Sequence, residues 1–395
     1  MDRLDARHRV IAGLSRDPKV RAEVLAYTET GFDLARIDRT PALPLPDEPH
    51  LEVWRAYARE ARGPGAFAYL RDKLCQLNVP IASGVSATPA YRALTRRGEA
   101  FDEASFGGRL ELEHPESLRV EIHEHPAGAL PVVATSHRPD FVRLWQALAC
   151  RNEPVELNAS VNAQMIAGLN NWDRIRRYRA SWQPGPLGTW AAEMKRVARE
   201  QPALFADRLM LVLEGPYSGV EAAELGLELA GCEWLERSMR LRLEHELTHY
   251  ATKRLCGVMS LKLYDELVAD FMGASRALGS FRADWFQRFM GLERWPPRAS
   301  GRVHTYRAGL GDEAFEIACR LALAAAGGLE QLAARHHDPS QRPRLLLALM
   351  QLSPELLAAE DREAWFAGAW DRGGALLAVP SPPARVGLAP GNSTC

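Results

Sequence analysis

The chain has 395 residues, 47% hydrophobic and 25% charged, which is enough for a packed core built as one large domain or two ordinary ones. A formal net charge of -1 and a pI of about 6.8 leave no global field toward nucleic acid or an anionic membrane surface, so neither is expected as a partner. No stretch reaches the roughly 18 apolar residues of a membrane span, and the opening MDRLDARHRVIAGLSRDPKV carries too many charges for a signal peptide.

The first 35 residues read as helical, TPALPLPDEPH (40–50) is a proline-rich connector, and LEVWRAYAREA resumes helix. Residues 109–135 alternate apolar with polar around Pro115 and Gly128, the pattern of two or three antiparallel strands with one wet face. Helix returns from Phe141. The run Arg174, Arg176, Arg177 and Arg179, beside Asp173, reads as a solvated helix face, and Pro184, Gly185, Pro186 and Gly188 mark a boundary between halves. Beyond it, DRLMLVL (207–213) is a short apolar strand ended by Gly215-Pro216. A long helix runs from about Glu233 to Leu255 with a stop at Gly257, and another follows from near Asp265 to about Leu278. After the loop ERWPPRASGRVHTYRAGLG come helices over 313–336 and 342–372. The expected fold class is α+β and mainly helical. Residues 1–185 form a helical and antiparallel-strand region of no assigned role, 186–378 a metal-binding region, and 379–395 a tail whose Pro, Gly and Ser content predicts disorder.

The six cysteines stand singly, with no CxxC, which fits neither a disulfide framework nor a cysteine metal site and makes the cytoplasm the expected compartment. Metal chemistry enters instead at His245-Glu246-Leu247-Thr248-His249. Residues four apart on a helix share a face, so both imidazoles can aim at one point, and zinc accepts imidazole nitrogen at roughly 2.0–2.1 Å in a tetrahedral shell. Glu246, offset by about 100° around the helix, lies beside that point, where a carboxylate can take the proton of a metal-activated water. Two histidines leave the shell one protein ligand short. Glu266 follows His249 after 16 intervening residues, room for the first helix to end at Gly257 and a second to return across it. Asp270, one turn beyond Glu266, can accept the far N–H of a ligand histidine.

HExxH followed at short range by ExxxD resembles the gluzincin branch of the zincin metallopeptidases, the thermolysin-like proteins, over about residues 207–280. The resemblance implies a zincin-like core with a short sheet beside the active-site helix, and a Zn2+ ion held by His245, His249 and Glu266. Glu246 would then be the general base and Asp270 the brace of a histidine. It also implies a peptide or small amide as substrate, and an edge strand beside the helix, for which residues 208–213 stand in the right place. The gap is slightly shorter than in the thermolysin type, and Asp265 stands where many such peptidases carry Asn, which leaves the substrate class open. The reading is therefore a zinc-dependent peptidase or amidase, the alternatives being a zinc-containing scaffold without turnover or a hydrolase of one small metabolite.

In the downstream loop, Tyr306 and His304 are candidate oxyanion donors, and Arg307 is a candidate partner for a substrate carboxylate. His123 and His125 share one face of a strand but lack the company of a ligand pattern. Nothing in the sequence bears on oligomeric state.

Overall fold

The computed structural model of the chain describes residues 2–30, 32, 43–62, 65–185, 188–257, 262–333 and 338–378. The tail expected to be disordered, 379–395, lies outside these residues. Helices α1 (Arg3–Ala12) and α2 (Pro18–Thr28) come first, then α3 (Leu51–Glu60), α4 (Ala66–Lys73) and α5 (Pro89–Arg97). Strands β1 (Arg119–His123) and β2 (Leu130–Thr135) lead through α6 (Arg138–Leu148) to β3 (Ala163–Leu169), and α7 (Trp172–Ser181) and α8 (Trp190–Glu200) lead to β4 (Asp207–Leu213). The remainder is helical: α9 (Gly231–Cys256), α10 (Leu263–Ala277), α11 (Ala283–Met290), α12 (Asp312–Ala333), α13 (Arg342–Leu349), α14 (Pro354–Ala358) and α15 (Arg362–Ala378). The α+β, mainly helical class expected from the sequence is what the chain forms. No described helix is long and apolar enough to cross a membrane.

The four strands form one mixed sheet in the order β1-β2-β4-β3, with β2 and β4 parallel and both outer pairs antiparallel. Strand β2 is buried throughout because helices cover both faces of the sheet, and its side chains alternate between two cores. Leu130, Val132, Met210 and Val212 face the core that includes Leu241 and Leu247 of α9 and Leu267 and Phe271 of α10. Val133, Leu209 and Leu211 face a second core with Trp54, Phe67 and Phe141. Strand β4 thus lies inside the sheet, the core strand that its residues equally suit and not the edge strand that the resemblance implied for 208–213, because an almost wholly apolar strand needs cover on both faces and both sides. The edge strand β1 reaches α9 through His123, whose Nε2 lies 3.2 Å from Glu244.

The expected division at 185/186 falls between β3 and β4, which are hydrogen-bonded neighbours, so the sheet is common to both expected halves. The leading helices also belong with the C-terminal ones. Arg7 of α1, buried, donates to Glu355 of α14 and to Thr28 of α2, and α2 packs along α12.

Two local signals place the helices that matter most. Gly257, at φ +72°, ends α9 in the left-handed conformation and donates to Lys253 O, and the Asp265 carboxylate accepts the Lys262 N–H at the start of α10. Helix α10 then lies closely against α9. At Gly273 an added Cβ would stand 2.8 Å from Leu241 O and 3.4 Å from His245 N, so glycine sets how near the two backbones come.

Candidate metal centre

Helix α9 presents His245 and His249 on one face, and α10 brings Glu266 against them. His245 Nε2 lies 3.2 Å from His249 Nε2 and 3.4 Å from Glu266 Oε2, and His249 Nε2 lies 3.2 Å from Glu266 Oε1. Among the described residues this is the one group of three or more His, Cys, Asp or Glu residues whose donor atoms converge within 4.8 Å. The three residues are buried, at 5%, 6% and 2% exposure.

Asp270, fully buried one turn beyond Glu266, accepts a hydrogen bond from His245 Nδ1 at 2.7 Å. A carboxylate only accepts, so a proton sits on Nδ1, and Nε2 is the nitrogen that faces His249 and Glu266. Two residues that the sequence reading did not single out complete the shell. Tyr217, in the turn after β4, donates to Asp270 Oδ1, and its oxygen lies 2.9 Å from His245 Nδ1. Arg302 donates through Nη2 to Glu266 Oε2 (3.1 Å) and Asp270 Oδ2 (2.9 Å), and through Nη1 to Tyr217 Oη (3.1 Å) and Ser218 Oγ (2.9 Å).

The electrostatics follow from that enclosure. Burial alone would push Glu266 and Asp270 upward. His249 and His245 outweigh it at Glu266, and Arg302 and His245 outweigh it at Asp270, so both carboxyls stay below their ordinary range. Burial likewise pulls His245 down, yet Asp270 and Glu266 raise it to about 10. Burial lifts the Tyr217 phenol well above its usual value, keeping it a hydrogen-bond donor.

A model of a family described as a family of unknown function, DUF7005, matches residues 9–361, a span that begins within α1 and takes in α2, the whole sheet and the histidine-glutamate cluster. The chain belongs to this family. Comparison with curated proteins and with solved structures gives no match.

The remaining sequence candidates of this DUF7005 chain divide. Glu246 follows His245 on α9, is partly exposed, and makes no hydrogen bond or ion pair among the described residues; Arg242, one turn earlier, is its charged neighbour. Tyr306 reaches the cluster, where burial and then the Glu266 carboxylate hold its phenol protonated. His304 and Arg307 do not reach it. His304 is exposed with Nε2 2.9 Å from Arg298 O, and Arg307 is taken up by Asp312 and Leu310 O. Around the short 3-10 turn Arg302–Tyr306, Val303 is buried and Tyr306 half-buried, His304 is exposed, and Arg307, which caps the turn, is drawn away to Asp312. The cation at the centre is Arg302, five residues before the arginine that the sequence favoured, as its bonds to Glu266 and Asp270 show. A charge argument could have asked for it, since two buried carboxylates on one helix face need a partner, but only the fold says which arginine of the loop arrives.

His123 and His125 meet Glu244 of α9, at 3.2 and 3.6 Å, together with Arg342 at 3.1 Å. The arginine makes this a buried ion-pair cluster tying β1 to α9 and α13. Glu244 and His123 also line a groove of about 610 Å³ along α9, with Glu121, Met239 and Leu243.

Proposed function

We propose that this protein is a zinc-dependent hydrolase of peptide or other amide bonds, built on a zincin-like core with His245, His249 and Glu266 as ligands. The observation that carries the reading is the convergence of the three side chains. His245 Nε2 and His249 Nε2 stand 3.2 Å apart, near the edge of about 3.3–3.4 Å of a tetrahedron with bonds of about 2.0–2.1 Å, and one Glu266 carboxylate oxygen lies against each of them, at 3.4 and 3.2 Å. The tautomer imposed by Asp270 leaves His245 Nε2 as the donor such a shell needs. A bound zinc ion would supply Lewis acidity and bring the pKa of a water down to about 7.

The chain's own residues supply the rest. Glu246, beside the ligand pair and without a partner of its own, accepts the proton of the attacking water and passes it to the leaving nitrogen. Tyr306, protonated and against Glu266, offers an O–H to an oxyanion. Arg302 balances the charge of Glu266 and Asp270.

The near-complete burial of the three ligands favours a second reading, a zinc-stabilised scaffold without turnover. One experiment separates the two. A panel of peptide and amide substrates is offered to the wild type with and without chelator, and to Glu246→Gln. Hydrolysis that needs metal and disappears in Glu246→Gln while zinc content stays at one per chain supports the hydrolase. Zinc bound with no turnover in any sample supports the scaffold, and activity retained in Glu246→Gln would sink the assigned base.

A further inference from the structure

We infer that the turn after β4, Gly215-Pro216-Tyr217-Ser218-Gly219, is a second brace of the metal centre: Tyr217 positions the His245 ring, and Ser218 fixes the arginine that covers Glu266. The inference rests on the metal-binding reading above.

One carboxylate oxygen is a pivot, about which an imidazole can still swing. The Tyr217 hydroxyl turns that pivot into a triangle, standing 2.9 Å from His245 Nδ1 and bonded to the same Asp270 oxygen at 2.5 Å. The tyrosine is itself held from several sides. Its backbone N–H donates to Ser238 Oγ on α9 at 3.1 Å, two turns before His245. Its ring meets Phe289 edge-on at 4.9 Å, and the guanidiniums of Arg242 and Arg302 lie 5.8 and 5.6 Å from the ring centre. The buried Arg242 also clamps the end of β4 by donating to Leu213 O, Gly215 O and Pro216 O.

Ser218 supplies the independent sign that this turn has a task. Its φ is +53°, a left-handed conformation that glycine would adopt at lower cost, and Gly219 follows at +69°. Glycine at 218 would lack the hydroxyl that receives Arg302 Nη1 at 2.9 Å. With Nη1 anchored on the turn, Nη2 can lie only across Glu266 and Asp270, so the turn sets the position of the third ligand as well as the first.

The test is titration of the metal-free full-length chain with Co2+, read by visible absorption, and with Zn2+ against a chelating indicator, for wild type, Tyr217→Phe and Ser218→Ala. Tyr217→Phe keeps the ring packing and is expected to weaken both metals about tenfold, the low end for losing a partner of a ligand histidine, and to shift the Co2+ bands. Ser218→Ala is expected to cost about threefold, as for one modest hydrogen bond. The unfolding midpoint of the metal-free variants reports any general loss of stability, which would leave the Co2+ bands of bound protein where they are. If wild type takes up neither metal, the metal reading itself falls. If wild type binds and both variants bind equally with superimposable spectra, the brace is overturned and the metal reading stands. Should Tyr217→Phe fail to fold, the Ser218→Ala affinity decides.

Discussion

Replacing Gly273 by alanine sets two effects of known size against each other at the contact between α9 and α10. Alanine is the better helix former by roughly 1 kcal/mol, so on propensity alone the variant should be more stable. Its Cβ, however, would stand 2.8 Å from the backbone oxygen of Leu241, about 0.6 Å inside the 3.4 Å at which ordinary contact begins. That oxygen belongs to a helix and cannot rotate away, so the helices must part. Overpacking of this kind costs about 1–3 kcal/mol, which outweighs the propensity gain and leaves a net loss of about 1 kcal/mol. The affinity readout is sharper, because the same Cβ lies 3.4 Å from His245 N, at the level of the candidate ligands, and parting the helices opens contacts of 3.2–3.4 Å between their donor atoms. Urea unfolding with and without zinc, combined with an indicator competition for zinc, measures both. A Gly273→Ala protein about 1 kcal/mol more stable than wild type, with unchanged zinc affinity, would refute the claim that glycine is required for the approach of the two helices.

Arg302→Leu should destabilise the zinc-free protein by about 3 kcal/mol or more, since it strands two buried carboxylates, and zinc should recover part of the loss; an equal loss in both states would count against the charge-balancing role. Zinc at 100 times its dissociation constant should raise wild-type stability by about 2.7 kcal/mol in chemical denaturation, and a chelator should reverse it, whereas indifference to both would argue against a folded-state site. His125 gives a pH dependence: burial holds its folded-state pKa down at about 4, against an ordinary 6.5, and its Nδ1 accepts the Ala127 N–H, a bond that protonation removes. The unfolded chain therefore binds the proton more readily. Its contribution is whole above about pH 6.5 and falls away as pH drops toward 4, by about 3 kcal/mol at pH 4. Stability measured from pH 7 to 4 should fall less steeply in His125→Gln than in wild type, and parallel curves would dismiss the assignment.

What could be read in the sequence was what is local. The four-residue spacings of His245 with His249 and of Glu266 with Asp270 are helix geometry, and Gly257 and Asp265 mark where one helix ends and the next begins, so the cluster of four was visible in a single stretch. The partners that complete it were not. Tyr217 meets Asp270 across 53 positions and Arg302 meets Tyr217 across 85, distances over which no periodicity carries information. Within the loop an arginine was expected but a different one arrives, because which side chains of a short 3-10 turn meet the helices is set by how the turn packs and not by the surrounding glycines and prolines. The interior place of β4 was likewise hidden, since its apolar residues suit a central strand and a core-facing edge strand equally well until the partners on both sides are known.

That place of β4 bears on how the protein can be handled. The strand that delivers Tyr217 to the histidines has β2 on one side and β3 on the other, both contributed by the first 170 residues. A fragment beginning near residue 186 would carry the whole HExxH and ExxxD sequence yet present β4 with two bare edges and an apolar face, a template for aggregation. The candidate metal-binding sequence and the fold that assembles it are thus different lengths of chain: the first is contained in a single stretch of the second half, and the second needs strands that the N-terminal residues supply.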